Sequence, residues 1–360
     1  MRSILSTGMI LILGILVSES RMQAQDLDLH LGEPLEIGQE DLLFGSVTAV
    51  CEDEAGNFYV VDQLEHKVYT FSRDGKLLYS FGQQGQGPGD FLRPNRISLT
   101  SQGHLAVADE MYTISFLKRD GTFLKRVKLD TGLAPGYMGE DRFYAWRWVP
   151  EGQQQIMLDA ESRILKTFHT VSRDRFSVSA PDQSGREVMF NYARPAFSPG
   201  LMYAQSGGLT AVAISDTYRI QLLDQKGEAR TVIERQVEPQ VLSRAEQRHF
   251  EDEFQEFGKM RGWPESVVRD IIGKLPRTKV LFDRILLSPA HVLVCRVPSD
   301  ITADAAFPVD IFTTGGKYLG PGSLPKKPLF VSQSRMYFER SDADGNVWLV
   351  VRGYSFGAIS

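Results

Sequence analysis

Cysteine is scarce in this sequence, basic residues are not in excess, and no hydrophobic run is long enough to cross a bilayer. The chain has 2 Cys in 360 residues, which excludes a small scaffold built on several disulfides. Its 40 Lys and Arg residues face 45 Asp and Glu residues, for a formal net charge of −5. A mildly acidic chain lacks the basic surface that nucleic acids require, so we expect no nucleic-acid partner.

The composition that remains is that of an ordinary globular protein. Hydrophobic residues make up 42% of the chain and charged residues 24%, which excludes a disordered or collagen-like chain. A length of 360 residues is compatible with two domains, but a single propeller can also use it.

The N-terminal segment has the pattern of a secretory signal peptide. Arg2 supplies a positive start, residues 4–17 are uncharged and mostly apolar, and Ala24 is a small residue suited to cleavage. The apolar run has 14 residues, fewer than the roughly 20 that span a bilayer. We therefore expect a signal peptide at residues 1–24, with cleavage after Ser20 as the alternative. The mature chain is then exported to the periplasm or the cell exterior and has no transmembrane segment.

The two cysteines lie far apart in the sequence. An oxidising compartment would allow a disulfide between Cys51 and Cys295. Both residues sit in strand-like apolar runs, where cysteine often behaves as a small buried hydrophobic residue. The sequence favours two buried free thiols.

A block of glycine, apolar residues and aspartate is repeated along the chain. Gly56-Asn-Phe-Tyr-Val-Val-Asp62 recurs as Gly103-His-Leu-Ala-Val-Ala-Asp109, and each copy leads into an alternating strand and a glycine turn. Similar turns are predicted at residues 75, 121, 175, 227 and 316, where Ser172–Arg175 is a degenerate copy. Units of about 45–50 residues with four short strands are typical of propeller blades.

The number of repeats predicts an all-β fold, a six-bladed β-propeller that occupies residues 25–360. The last unit copies the first between Ser341 and Val351 but has little chain left for an outermost strand. We expect that strand to come from Leu27–Leu31, because closing the ring with both termini removes free sheet edges. One unit is too long, and residues 243–275 carry a helical pattern with a capping box at Ser243, which predicts an inserted two-helix hairpin.

One stretch resembles a known repeat family. Phe81-Gly-Gln-Gln-Gly85-Gln-Gly87-Pro-Gly89-Asp-Phe91-Leu-Arg-Pro94, followed by the block at 103–109, resembles the NHL repeat. The resemblance is good over residues 47–130 and fragmentary over 195–351. It implies a secreted bacterial six-bladed propeller with NHL-like blades. Because this fold supports several functions, the resemblance implies a fold more firmly than an activity.

Three acidic or glycine-rich motifs have alternative interpretations. The loop Gly85-x-Gly87-x-Gly89 leads into a strand and not into a helix, which favours a turn between blades over a phosphate site. Asp62 and Asp109 end strands and could bind metal, but repeated positions favour hydrogen bonds to backbone at turns. Asp342-x-Asp344-Gly345 resembles the start of a calcium loop, but the distal ligands are missing, so a hairpin is favoured.

Catalytic and metal-binding patterns are weak. Some NHL-like propellers are zinc-dependent lyases, but no two of the six histidines have the short spacing of a zinc motif, although a ring of ligands from different blades remains an alternative. No cofactor or metal is predicted, and whether the protein is an enzyme stays open. Tyr144, Trp146 and Trp148 alternate along one strand, where blade packing is favoured over stacking on a sugar.

Arginines recur just ahead of, or within, the innermost strands. Arg93 and Arg194 each precede a proline, about two blades apart, while Arg96 and Arg284 are aligned copies. Because innermost strands line the central channel, these four residues are the candidate ligand-binding residues, with salt bridges between blades as the alternative. We therefore predict an exported binding module for a small anion, a glycan or a protein. The alternative is a metal-dependent lyase or lactonase of the NHL-like propeller type.

Overall fold

The repeated blocks of the sequence form the second strands of two neighbouring sheets. Phe58–Asp62 and Leu105–Asp109 are buried at every position, because each strand packs against another sheet on both faces. In Leu105–Asp109, Leu105 and Val107 face one neighbouring blade, while Ala106 and Ala108 face the other. A period of two therefore distributes apolar residues to both sides of the same strand.

The computed structural model describes residues 27–38, 42–109, 112–130, 133–173, 177–181, 184–191, 198–274, 276–301 and 306–358. These residues form six four-stranded antiparallel sheets and one two-stranded sheet. The expected signal peptide at 1–24 and Arg194 lie outside the described residues.

The first three sheets are blades one to three, each numbered from its innermost strand outward. Blade one comprises β2 (Val47–Glu52), β3 (Phe58–Asp62), β4 (Lys67–Phe71) and β5 (Leu77–Phe81). Blade two comprises β6 (Pro94–Leu99), β7 (Leu105–Asp109), β8 (Thr113–Leu117) and β9 (Phe123–Lys128). Blade three comprises β10 (Leu133–Gly139), β11 (Arg142–Val149), β12 (Gly152–Asp159) and β13 (Ile164–Ser172).

The remaining three sheets complete the ring. Blade four comprises β16 (Leu201–Ser206), β17 (Leu209–Ile214), β18 (Arg219–Leu223) and β19 (Ala229–Glu234). Blade five comprises β20 (Phe282–Leu287), β21 (His291–Arg296), β22 (Phe307–Thr313) and β23 (Tyr318–Leu324). Blade six comprises β24 (Phe330–Val331), β25 (Arg335–Ser341), β26 (Val347–Ala358) and the N-terminal strand β1 (Leu27–Ile37).

A separate hydrophobic cluster lies between each pair of neighbouring blades. The clusters join blades one and two, two and three, three and four, four and five, and five and six. A sixth cluster packs Phe58 and Phe71 of blade one against Tyr337 of blade six and thereby closes the ring. The prediction of a six-bladed β-propeller is confirmed, and β1 pairs with β26 as expected for closure by both termini.

Glycine turns join the third and fourth strands of four blades. Gly75, Gly121, Gly227 and Gly316 all have positive φ, between 77° and 89°. Each donates its N–H to the carbonyl three residues earlier, as Gly75 does to Ser72. This backbone conformation favours glycine, which explains why these turns could be read from the sequence.

Two long insertions leave the ring where one blade passes to the next. The helices α1 (Arg244–Arg261) and α2 (Glu265–Lys274) lie between β19 and β20, as predicted for residues 243–275. The capping box of Ser243 and Glu246 is present. A hairpin that the sequence did not predict, β14 (Ser177–Pro181) and β15 (Glu187–Asn191), lies between β13 and β16, and Val188 packs against the helices.

Two details of the predicted repeat register are wrong. The turn between the third and fourth strands of blade three lies at residues 160–163, while Ser172 is the last residue of β13 and Arg175 lies outside the described residues. The turn at 342–346 joins the second and third strands of blade six, since Phe330–Val331 forms its innermost strand. Glycine in a turn sequence predicts a tight connection between two antiparallel strands. It does not predict which two strands of a blade are connected.

Both cysteines are buried free thiols, as the sequence favoured. Cys51 lies in blade one and Cys295 in blade five, and burial raises the pKa of the Cys295 thiol to about 12. We expect a thiol-specific reagent to label neither cysteine in the native protein and both after denaturation, because the thiolate is the reactive form. Labelling of fewer than two thiols in the denatured, unreduced protein would contradict this assignment.

Candidate ligand site in the central channel

The six innermost strands enclose a cavity at the centre of the ring. Its volume is about 240 Å³, and β2, β6, β10, β16, β20 and β24 all contribute lining residues. Of the 21 described residues that line it, 13 are Ala, Val, Ile, Leu or Phe, and Arg96 is the one charged residue. We call this space the channel cavity.

Arg96 lies against two stacked tyrosines. Its Cζ atom is 5.1 Å from the ring centroid of Tyr203 in blade four and 5.7 Å from that of Tyr144 in blade three. The two rings are stacked with centroids 3.9 Å apart. A guanidinium over aromatic faces is attracted to them by a cation–π interaction, which helps to fix its position.

A glycine in blade three makes room for this arrangement. A Cβ atom at Gly136 would lie 2.5 Å from the hydroxyl oxygen of Tyr203, which is a severe clash. The Tyr203 hydroxyl donates to Gln205 Oε1 at 2.8 Å, so the ring position is also fixed by a hydrogen bond. The innermost strand of blade three therefore allows the side chains of blades two and four to approach each other across the channel.

Both tyrosines stay protonated in this environment. Burial raises the pKa of Tyr144 and of Tyr203, and the nearby charge of Arg96 opposes that effect without cancelling it. Gln155 donates from Nε2 to the Tyr144 hydroxyl at 3.3 Å and to the Met202 carbonyl at 2.7 Å. Because both hydroxyls stay neutral, the two tyrosines place no negative charge beside Arg96.

The channel cavity opens into a wider space where the innermost strands end. This vestibule has a volume of about 800 Å³. Ile97, Ser98, Tyr137, Gln205 and Phe330 line both spaces, so the two are continuous. A ligand therefore has a path from the vestibule to the cavity.

Several charged groups at the vestibule are paired with one another. Arg335 donates from Nε to Glu52 at 3.1 Å, and the same carboxylate accepts a hydrogen bond from the Tyr337 hydroxyl. Arg119 contacts Asp53 at 3.2 Å and Glu54 at 2.9 Å. These pairs join blade six to blade one and blade one to blade two, so they act first as contacts between blades.

Polar contacts hold the opposite end of the channel, where the innermost strands begin. Thr48 and Gln63 of blade one both donate to the carbonyl of Pro94, at 3.3 and 3.4 Å. Arg284 of blade five donates to the carbonyl of Pro328 at 3.0 Å, and Lys327 forms an ion pair with Asp283. These contacts join blade one to blade two and blade five to the segment that enters blade six.

The structure separates the predicted arginines. Arg96 lines the channel cavity, whereas Arg93 precedes β6 and is exposed. Arg284 occupies the position in β20 that matches Arg96, but the residues that line the cavity do not include it. Arg194 lies outside the described residues. Equivalent positions in the sequence thus have different surroundings, although the register shifts at the same place near the start of β6 and of β20.

The aspartates that end the second strands have a structural role. Asp62 accepts hydrogen bonds from the backbone N–H groups of Gly45 at 2.7 Å and Ser46 at 3.0 Å. Asp109 does the same for Leu92 at 2.6 Å and Arg93 at 3.2 Å. Each aspartate thereby positions the chain that enters the innermost strand of its own blade, as the repeated position suggested.

The glycine-rich loop is a turn between blades. Its carbonyls at Gln86, Gly87 and Asp90 accept hydrogen bonds from the guanidinium of Arg126, at 2.8, 3.0 and 2.6 Å. A phosphate loop presents N–H groups to an anion, and this loop instead presents carbonyls to a cation. Asp342 accepts the N–H groups of Asp344 and Asn346 inside a hairpin turn, in agreement with the prediction.

Within the described ranges, no three His, Cys, Asp or Glu side chains form a group that could hold a metal ion. The six histidines are spread over different elements, from His30 in β1 to His291 in β21. Among the described helices, none is long and apolar enough to cross a membrane.

The aromatic residues of β11 divide into two groups. Tyr144 is buried between blades three and four, so the predicted role in blade packing is confirmed for this residue. Trp146 and Trp148 contact each other at 5.9 Å near the end of the strand, and Trp148 is 42% exposed. Of the three aromatic residues that alternate along β11, Trp146 and Trp148 are therefore not part of the buried core.

Sequence reasoning missed Tyr203 and Phe330 as cavity residues. Blades four and six lack the glycine-proline signal that marks the innermost strand of blade two, and β24 has only two residues. The one available signal was the blade period counted from Arg96, which insertions between blades three, four and five obscure.

Comparison with known proteins agrees with the ring of six sheets. A family profile described as a 6-bladed beta-propeller (DUF5128) matches residues 34–177. The fold is a six-bladed β-propeller. No curated protein matches the sequence. The NHL repeat, as a specific family, stays a prediction.

Solved structures with the same fold include two from Bacteroides. A protein of B. fragilis that is named as exported shares 11% identity at a TM-score of 0.54, with 91% of this chain and 95% of that chain covered. A DUF4221 family member of B. vulgatus shares 9% identity at a TM-score of 0.56, with 94% and 100% covered. Virginiamycin B lyase of Staphylococcus aureus reaches a TM-score of 0.42 at 9% identity, with 90% and 99% covered, and carries no argument about activity. At these identities the likeness shows the fold alone.

Proposed function

We propose that this propeller is an exported binding protein that holds a small anionic ligand in its channel cavity. The observation that carries the proposal is the position of Arg96, the one charged side chain among the described residues that line the channel cavity. A charge in such a space interacts with an anion more strongly than a charge at the surface, because water screens it less. The vestibule supplies the route of entry.

We expect this binding protein to be exported from the cytoplasm. The N-terminal pattern of Arg2, an apolar run and Ala24 supports a signal peptide, and free buried thiols are compatible with an oxidising compartment. The choice between periplasm and cell exterior stays a prediction. The metal-dependent lyase or lactonase also stays a prediction, and no observation in the described residues favours it over binding.

Replacement of Arg96 tests the proposal. We expect a panel of carboxylates and sulfated disaccharides, screened by thermal shift and then titrated by calorimetry, to contain at least one anion whose Kd rises about ten-fold or more in Arg96→Gln. Lys118→Gln is the matched control, because it removes one exposed positive charge from the turn that follows β8 of the same blade. Equal affinity in wild type and Arg96→Gln, or no bound anion at all, would refute the proposal.

A further inference from the structure

The vestibule is built from the connections between the innermost and second strands of all six blades. Residues at or beside these connections line it, and in the order of the blades they include Glu54, Ser101, Gly139, Gly208, Pro289 and Gln333. Its volume of about 800 Å³ lies within the roughly 300–1,000 Å³ that is typical of ligand sites. The strand connections therefore form a concave site of ligand size around the mouth of the channel.

Uncharged polar side chains are common in this lining. Nine of its 25 described residues are Ser, Thr or Gln. Thr100, Gln205 and Ser332 accept hydrogen bonds from the protein, as Thr100 Oγ1 does from the N–H of His104 at 3.0 Å. Within the part of the chain that the structure describes, six of these side chains make no hydrogen bond to another residue: Ser98, Ser101, Ser206, Gln225, Gln333 and Ser334.

Hydroxyl and amide groups can each donate and accept a hydrogen bond. A ligand that carries several hydroxyl groups loses water when it binds, and each hydroxyl then needs a new partner. The side chains of the vestibule supply such partners from several blades, with Ser98 in blade two, Gln225 in blade four and Gln333 in blade six.

Gln225 is held in place by two glycines. A Cβ atom at Gly139 of blade three would lie 2.6 Å from Gln225 Cγ, and a Cβ atom at Gly208 of blade four would lie 3.1 Å from Gln225 Nε2. The side chain thus packs closely over the backbone of two neighbouring blades. Because its conformation is already restricted, the Gln225 amide loses little conformational entropy when it binds a ligand.

The charges around the vestibule balance one another. Its three acidic residues face the guanidinium groups of Arg73, Arg119 and Arg335. Arg119 and Arg335 are paired with these carboxylates, and Arg73 is exposed, so that water screens its charge. This balance favours an uncharged ligand, since an ion of either sign gains little from it.

Two aromatic residues lie where the vestibule meets the channel cavity. Tyr137 and Phe330 line both spaces. A sugar ring has apolar C–H faces and a polar edge. An aromatic ring can therefore pack against one face of the sugar while the serine and glutamine side chains bind its hydroxyl groups.

We propose that the vestibule binds an uncharged oligosaccharide of about two or three sugar rings. Ser98, Gln225 and Gln333 bind its hydroxyl groups, and Phe330 packs against one ring. This inference goes beyond the proposed function, because it concerns a different space and does not depend on the charge of Arg96.

The test titrates the full mature chain with four trisaccharides by calorimetry. Maltotriose, cellotriose and mannotriose are uncharged, whereas trigalacturonate carries a carboxylate on each ring. We expect at least one uncharged trisaccharide to bind with a Kd about five-fold or more below that of trigalacturonate.

Two variants locate the bound sugar. Gln225→Ala and Gln333→Ala should each raise the Kd of that trisaccharide by about three- to ten-fold, the effect of one lost hydrogen bond. Gln255→Ala is the matched control, because it removes an exposed glutamine of α1 that does not line the vestibule. Arg96→Gln should leave the Kd unchanged. Far-UV circular dichroism and the Tm establish that each variant is folded.

The outcomes separate this inference from the proposed function. If no trisaccharide binds, or if Gln225→Ala and Gln333→Ala bind it as tightly as Gln255→Ala does, the saccharide site is overturned while the anion-binding function stands on its own panel. If trigalacturonate binds as tightly as the uncharged sugars, the assignment to an uncharged ligand is wrong. If binding is lost in Arg96→Gln and kept in both glutamine variants, the sugar lies in the channel cavity and the vestibule is overturned as its site.

Discussion

Replacement of Lys279 by methionine is expected to lower the free energy of unfolding by about 3–5 kcal/mol, the cost of leaving a buried charge without its partner. Lys279 and Glu246 form an ion pair at 2.5 Å, and both side chains are only 1% exposed. Lys279 also donates to the carbonyls of Pro298 at 3.1 Å and Ser299 at 2.8 Å. The pair attaches the inserted helices to blade five, so the loss should be measured by urea denaturation together with hydrogen exchange of α1.

An exposed pair on the same insertion provides the control. Lys274 and Asp270 are 2.9 Å apart with side chains 51% and 45% exposed, and Lys274→Met should cost less than about 1 kcal/mol. Equal effects of Lys279→Met and Lys274→Met on stability and on α1 protection would contradict the role given to the buried pair. A loss confined to α1 would show that the insertion opens without the ring.

The same pair predicts how stability depends on pH. Burial alone raises the pKa of the Glu246 carboxyl, but the hydrogen bonds from Lys279 and from the N–H groups of Ser243 and Ile301 outweigh burial and hold that pKa below its usual range. A carboxyl whose pKa is lower in the folded state stabilises the fold above the unfolded pKa of about 4.3. That contribution is lost as the pH falls through the folded pKa, and Glu246→Gln should remove this part of the acid sensitivity.

Replacement of Asp62 by alanine is the second change with a large expected effect, a loss of about 2–4 kcal/mol. The Asp62 side chain is fully buried, and it accepts hydrogen bonds from the N–H groups of Gly45, Ser46, Leu64 and Glu65 at 2.7 to 3.2 Å. Alanine would leave these donors without their acceptor. Because Gly45 and Ser46 lead into β2, which lines the channel cavity, the change should also weaken the anion binding that we propose there.

Two substitutions complete this experiment. Asp62→Asn keeps one oxygen acceptor and should lose less stability than alanine does, as judged by urea denaturation. Asp74→Ala removes an exposed carboxylate from the turn after β4 and should leave the midpoint of urea denaturation unchanged. The structural role of Asp62 would be wrong if Asp62→Ala unfolded at the same urea concentration as Asp74→Ala.

The sequence determined the ring, because its information is local. Glycine turns at 75, 121, 227 and 316, strands with a period of two, and a capping box at Ser243 each depend on residues close to one another in the chain. Repeated six times, such units have one way to bury their faces, which is against each other in a closed ring. The free thiols follow from the same pattern, since both lie in buried strands of separate blades.

The tertiary structure decided which residues share the channel cavity. The chain places Arg96, Tyr144 and Tyr203 in three different blades, and no local pattern states that their side chains meet. Arg96 and Arg284 match in sequence, yet Arg96 lines the cavity, whereas Arg284 donates a hydrogen bond to the carbonyl of Pro328. The physical reason is that a blade repeat fixes each backbone position, while the surroundings of a side chain depend on the neighbouring blades, whose residues differ around the ring.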